Sequence, residues 1–90
     1  MLNATIPVVN RLGLHARAAA QLVKLASGFQ SSLVLSRSDR SASANAKSIL
    51  NILTLAAVHG TELEIVADGE DEALAIAAIQ DLFARRFGED

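Results

Sequence analysis

At 90 residues, with 51% hydrophobic residues and a formal net charge of −2, the chain is expected to form one domain over residues 1–90 with an aliphatic core. The absence of a basic stripe and of Trp and Tyr counts against nucleic acid as a ligand, and the absence of Cys excludes disulfides, thiolate metal sites and cysteine nucleophiles. No apolar run approaches the roughly 20 residues of a membrane span. Met1-Leu2-Asn3-Ala4-Thr5 lacks the basic-then-apolar order of a signal peptide, so a cytoplasmic protein without membrane insertion is expected.

Ala4 to Asn10 alternates, with Ala4, Ile6 and Val8 on one side, and reads as a strand. Pro7 has no N–H to donate, which places that strand at a sheet edge. Gly13-Leu14-His15 is a turn. From Ala16 to Ser27 the apolar positions Ala19, Leu22, Val23 and Ala26 have helical spacing, and Gly28 stands where a helix stops. Leu33 to Arg37 is a second strand, Ser38-Asp39-Arg40 a polar turn and Ser41 to Asn45 a weak third strand. Lys47 to Leu53 reads as a short helix with Ile49, Leu50 and Leu53 on its apolar side and Ser48 near its start, where a hydroxyl caps free N–H groups.

Thr61 to Ala67 alternates again, with Leu63, Ile65 and Ala67 inward, and Asp68-Gly69 turns the chain. Glu70, Asp71 and Glu72 open a last helix that Arg85 and Arg86 close, an order of charge that complements the helix dipole. Its inner stripe is expected at Leu74, Ala78 and Leu82, broadened by Ala75 and Ile79. The order β-α-β-β-α-β-α, with strands that alternate, implies an α/β (α+β) fold in which one sheet face is buried under helices.

His15 lies between a glycine turn and the first turn of a helix, where unpaired N–H groups and the positive end of the dipole favour an anion. A neutral imidazole there carries a lone pair and is a competent nucleophile. The N–H groups of Ala16 and Arg17 would then face the anion, and the Arg17 guanidinium matches phosphate geometry. A solvated surface histidine beside a solvated arginine accounts for the same residues, and on these residues alone both readings stand. His59 reads as a surface loop residue. Glu70-Asp71-Glu72 reads as a helix start rather than a metal site, and no metal site is expected.

The segment from Asn10 to Ala20, Asn-Arg-Leu-Gly-Leu-His-Ala-Arg-Ala-Ala-Ala, closely resembles the active-site segment of the HPr family. These are the histidine phosphocarriers of the bacterial phosphoenolpyruvate-dependent phosphotransferase system. Lys47-Ser48-Ile49-Leu50 with Leu53-Thr54-Leu55-Ala56-Ala57, and Gly60 to Ile65 running into Gly69 to Ala73, resemble further family segments in the same order. The resemblance implies that His15 accepts the phosphoryl group at Nδ1 and that Arg17 assists transfer. Ser48 matches the serine that a dedicated kinase modifies in some bacteria, although a plain helix cap, which needs no kinase, is the reading its position favours. The implied fold is an open-faced β-sandwich, a four-stranded antiparallel sheet in the order 1-4-2-3 under three helices.

The implied role is that of a carrier rather than an enzyme, without a cofactor. Enzyme I is the donor and an enzyme IIA-type protein the acceptor. Ala16, Arg17, Ala20, Gln21 and Lys24 on the first helix, with Ile49 and Leu50 on the second, form the expected docking surface of a monomer, with one of the last two left open as a core residue. Ala18 stands where family members often have proline, and the turn at residues 38–40 is longer than in many members. The openings at residues 10–13 and the ending from Leu82 to Asp90 look like the nitrogen-related branch, whose members regulate target proteins rather than serve sugar uptake. A plait-type small-molecule sensor is also compatible with the element order, but leaves the His15 segment unexplained.

Overall fold

The computed structural model describes residues 1–89, so Asp90, which closes the tail segment noted above, lies outside the described residues. Its elements are β1 (Leu2–Pro7), α1 (Ala16–Ala26), β2 (Ser32–Arg37), β3 (Ser43–Asn45), α2 (Ile49–Leu53), β4 (Glu62–Asp68) and α3 (Glu72–Ala84), followed by a 3-10 turn at Arg86–Gly88. The sheet runs β1-β4-β2-β3, antiparallel throughout. This is the expected 1-4-2-3 open-faced sandwich.

Alternation sets which face is covered. Ile6 and Val8, Leu33 and Leu35, Ala44 and Ala46, and Leu63, Ile65 and Ala67 all point under the helices and are buried. The outer face keeps polar residues such as Thr5, Ser36, Glu62 and Glu64. Each fully buried Leu or Ile contributes about 2 kcal/mol of transfer free energy. β1 pairs with β4 alone and is an edge, as Pro7 requires. Val8 N–H donates to the Thr61 carbonyl at 2.9 Å, so the Pro7 nitrogen, one residue earlier, faces outward where no ladder bond is lost.

α1 buries Ala18, Ala19, Leu22 and Ala26, with Val23 half-buried. Its end differs in mechanism from the expectation at Gly28. Ser27 is the C-cap in a right-handed conformation, and the chain tightens as Gly28 N–H donates to Leu25 O and Phe29 N–H to Ala26 O. Gly28 is not among the left-handed glycines.

Two inward faces differ from the sequence expectation. In α3 the buried residues are Ala75, Ile76, Ile79, Leu82 and Phe83, while Leu74 is 70% exposed. Ala, Ile and Leu surround this helix on nearly all sides, so its own periodicity selects no face. Packing over β1 and β4 makes the choice. In α2 the buried residue is Ile52, and Ile49, Leu50 and Leu53 are exposed. A helix of five residues has room for one inward position. Leu55 and Ala57, just beyond it, complete that part of the core.

Candidate functional site

The site begins with a glycine. Gly13 has φ +68°, and a Cβ there would sit 2.5 Å from the Ala57 carbonyl oxygen and 2.9 Å from Val58 Cα. Only glycine tolerates both the left-handed backbone and the close approach. Leu14 N–H donates to Ala57 O at 2.8 Å and the Leu14 side chain is buried, which pins the turn to the segment after α2. Asn10, fully buried, closes the same turn by donating from Nδ2 to Gly13 O at 2.8 Å.

His15 is the N-cap of α1, with an extended backbone (φ −78°, ψ 178°). Its carbonyl accepts from Ala19 N–H at 2.8 Å and closes the first turn. The N–H groups of Ala16, Arg17 and Ala18 have no acceptor among the described residues, and no acidic residue lies in this turn. The His15 side chain makes no cap bond of its own. The helix start thus presents N–H groups that no described residue of the protein satisfies. Arg17 is exposed and forms no ion pair among the described residues, so its guanidinium is available beside that open end.

The imidazole is held from an unexpected direction. Nε2 of His15 lies 2.9 Å from Glu89 Oε2 and 3.2 Å from Oε1. Asn10 Nδ2 donates to Glu89 Oε1 at 2.7 Å. The tail reaches His15 through a reversal in which Arg86 and Phe87 both adopt left-handed backbone (φ 57° and 56°). Such residues cost about 1 kcal/mol each. The buried Phe87 ring offsets this, packing edge-on against Phe83 with centroids 4.8 Å apart. The carboxyl of Glu89 is held below its ordinary value of 4.5. The first cause is the Asn10 hydrogen bond, then that from His15, with the positive charges of His15 and Arg17 adding to them against partial burial.

Neither Asn10 nor Glu89 is expected in the site from sequence. Asn10 reads there as the end of a strand and the first residue of the family-like segment, with no role of its own, and Glu89 as part of a tail of family-like composition. Separated from His15 by 74 positions, Glu89 carries no spacing signal.

The remaining expected residues fall in two groups. Ser48 is the N-cap of α2, half-buried, and its hydroxyl accepts from Asn51 N–H at 3.4 Å, a long bond. Ile49 is 41% and Leu50 77% exposed, so neither is core. α2 packs against α1. Ala16 and Ala20 are exposed small residues on α1. Gln21 and Lys24 instead line a shallow groove with Leu82 and Arg85 of the α3 side. His59 is exposed, and no group of three metal-ligating side chains converges among the described residues.

A protein-family profile described as "PTS HPr component phosphorylation site" matches residues 2–85. The phosphocarrier protein HPr of Xylella fastidiosa is 49% identical over 90 residues, covering 100% of this chain and 99% of its own. The phosphocarrier protein NPr of Escherichia coli is 38% identical over 86 residues, covering 96% and 94%. The crystal structure of HPr-C-His from Thermoanaerobacter tengcongensis superimposes with a TM-score of 0.92 at 40% identity, covering 100% of this chain and 99% of that one. A matched family profile, full-length relatives and a shared fold around an open helix start lead to one conclusion: the chain belongs to the HPr family of phosphotransferase-system phosphocarriers, and is a carrier rather than an enzyme.

Proposed function

We propose that His15 is the residue that receives the phosphoryl group, from phosphorylated enzyme I, and that an enzyme IIA-type protein takes it away. The observation that carries this reading is the conjunction at one point of an imidazole and three N–H groups without acceptors at the start of α1. The lone pair on His15 attacks phosphorus in line with the bond to the donor's histidine. The new N–P bond forms as the old one breaks, and the donor imidazole leaves with its electron pair. The backbone N–H groups of Ala16 and Arg17 and the Arg17 guanidinium stabilise the charge spread over the equatorial oxygens. Transfer onward reverses these steps.

Docking falls to exposed apolar and small residues flanking His15: Ala16, Ala20, Ile49 and Leu50, with Arg17 steering an acidic partner. Leu12, Leu53 and Val58, exposed as well, extend the apolar set. Gln21 and Lys24 form its margin toward the groove beside α3. The protein works as a cytoplasmic monomer in this reading, and none of its helices is long and apolar enough to cross a membrane among the described residues. A kinase acting on Ser48 would place a phosphate at the start of α2, beside Ile49 and Leu50, and so alter this surface. Identity to HPr of Xylella fastidiosa exceeds that to NPr of Escherichia coli, which favours the sugar-system role over the nitrogen-related one.

Intact mass after incubation with phosphoenolpyruvate and enzyme I tests the reading. One added phosphoryl group, acid-labile and absent from a folded His15→Ala variant, is the expected result. An unchanged mass gain in His15→Ala sinks the assignment.

A further inference from the structure

We infer that Glu89 is a positioning residue for phosphoryl acceptance, its carboxylate fixing the tautomer and orientation of the His15 ring so that the Nδ1 lone pair faces the incoming phosphorus. This rests on the reading of His15 as the acceptor.

Donors and acceptors fix where the ring proton lies. Glu89 receives Asn10 Nδ2 on Oε1 and faces His15 Nε2 with Oε2. Asn10 Nδ2 must be the donor in its bonds, because its two partners, Gly13 O and Glu89 Oε1, are both acceptors. An ionised carboxylate has acceptors only. The proton in the 2.9 Å contact therefore belongs to the imidazole, and a neutral ring with its proton on Nε2 has its lone pair on Nδ1. Nδ1 makes no hydrogen bond among the described residues. The left-handed turn at Arg86 and Phe87, the buried Phe87 ring and the buried Asn10 all hold one carboxylate in place, its Oε1 taking the Asn10 bond and lying 3.2 Å from the ring nitrogen, its Oε2 facing that nitrogen at 2.9 Å. The depressed carboxyl of Glu89 keeps it ionised and acceptor-only through the neutral range.

An amide cannot do both tasks. In Glu89→Gln one of the two oxygens becomes an NH2 group. It must face either Asn10 Nδ2, as donor against donor, or His15 Nε2, where it drives the ring proton to Nδ1 and blocks the nucleophile.

The test uses the full chain with 15N-labelled histidine, at a pH well above the usual imidazole range. Two-bond 1H–15N correlation spectra identify the His15 tautomer in wild type, Glu89→Gln and Glu89→Asp, and the initial rate of phosphoryl acceptance from phosphorylated enzyme I is measured in parallel. Wild type is expected in the Nε2–H form. Glu89→Gln is expected to gain Nδ1–H population and lose about tenfold in rate, the scale on which orienting partners of a functional histidine act. Glu89→Asp, which keeps two acceptors on a shorter arm, recovers part of both. An Nδ1–H ring in wild type, or a Glu89→Gln variant altered in neither readout or in only one, overturns the inference. If His15→Ala still takes up phosphate, the acceptor assignment itself has failed, and the tautomer comparison reports separately on Glu89.

Discussion

The starts of α1 and α3 are built from similar parts and put to opposite uses. Each follows a glycine whose missing Cβ makes room for another segment: Gly13 against Ala57 and Val58, Gly69 against Ser31, where a Cβ would lie 2.7 Å from the Ser31 Cα. At α3 the N-cap is Asp71, and its carboxylate accepts from Gln30 N–H at 2.8 Å and Ser31 N–H at 3.0 Å, and from the Ser31 hydroxyl. Glu72 accepts from Gly69 N–H at 3.1 Å and meets the N-terminal ammonium at 3.1 Å. Acidic residues are thus built into this end: Asp71 clamps the connection between α1 and β2, and Glu72 holds the Gly69 turn and the first residue of the chain. At α1 the N-cap is a histidine, no acidic residue lies in the first turn, and the N–H groups stay open. Neither N-cap side chain bonds its own helix: the carboxylates at the start of α3 are turned to holding other segments, whereas the one carboxylate among the described residues at the start of α1, that of Glu89, comes from the tail and meets the His15 ring.

The sharpest way to break this contrast is to give α1 the charge that α3 already has. Ala16→Asp sets a carboxylate in the open turn. We expect it to stabilise the helix by about 0.5 kcal/mol in chemical denaturation. We expect it to lower phosphoryl acceptance by about a hundredfold in a single-turnover assay, since like charges brought together cost several kcal/mol. A gain in stability without loss of acceptance would show that the open N–H groups are not where the phosphate sits. Arg17→Ala removes the counter-charge and leaves those groups in place; acceptance should slow by about tenfold, consistent with one charged hydrogen bond of about 1.5 kcal/mol. Unchanged rates would take Arg17 out of the transfer.

The smallest effect is expected at the other helix. The Asp71 carboxyl lies below its ordinary 3.8 chiefly because of the Ser31 hydroxyl, then Gln30 N–H. A carboxyl lowered in the folded state contributes its full stability above the unfolded value and loses it as pH falls through the folded one. Asp71→Asn should therefore lower the melting temperature at neutral pH and flatten its decline below about pH 4, where the wild-type contribution disappears. Phosphoryl acceptance should stay unchanged. A melting difference that persists in strong acid would mean that the carboxylate's charge is not what matters.

The same pair of helices shows what is legible in sequence. In α1 four apolar positions fall on one face between polar ones, so Ala19, Leu22 and Ala26 can be placed inside, and Gly13-Leu14-His15 marks the start. In α3 apolar residues surround the helix, and Leu74 cannot be told from Ile76 without the sheet beneath them. The strands follow the first case: Leu63, Ile65 and Ala67 alternate cleanly, and Pro7 places β1 at the edge. At the site, His15 and Arg17 stand in one short segment and can be read together. Glu89 arrives through a turn that needs two non-glycine residues in left-handed backbone, a conformation that neither Arg86 nor Phe87 advertises. Asp71 illustrates a third case. An acidic helix start is legible, but its carboxylate bonds to Gln30 and Ser31 of another segment rather than to its own helix.

Pro7 has a consequence for self-association. A sheet invites a further strand wherever a full row of donors and acceptors lies along its rim. The β1 rim has a gap at Pro7, where a visiting strand would find no donor, and the β3 rim is only three residues long. Both rims are therefore poor templates for a further strand from another chain.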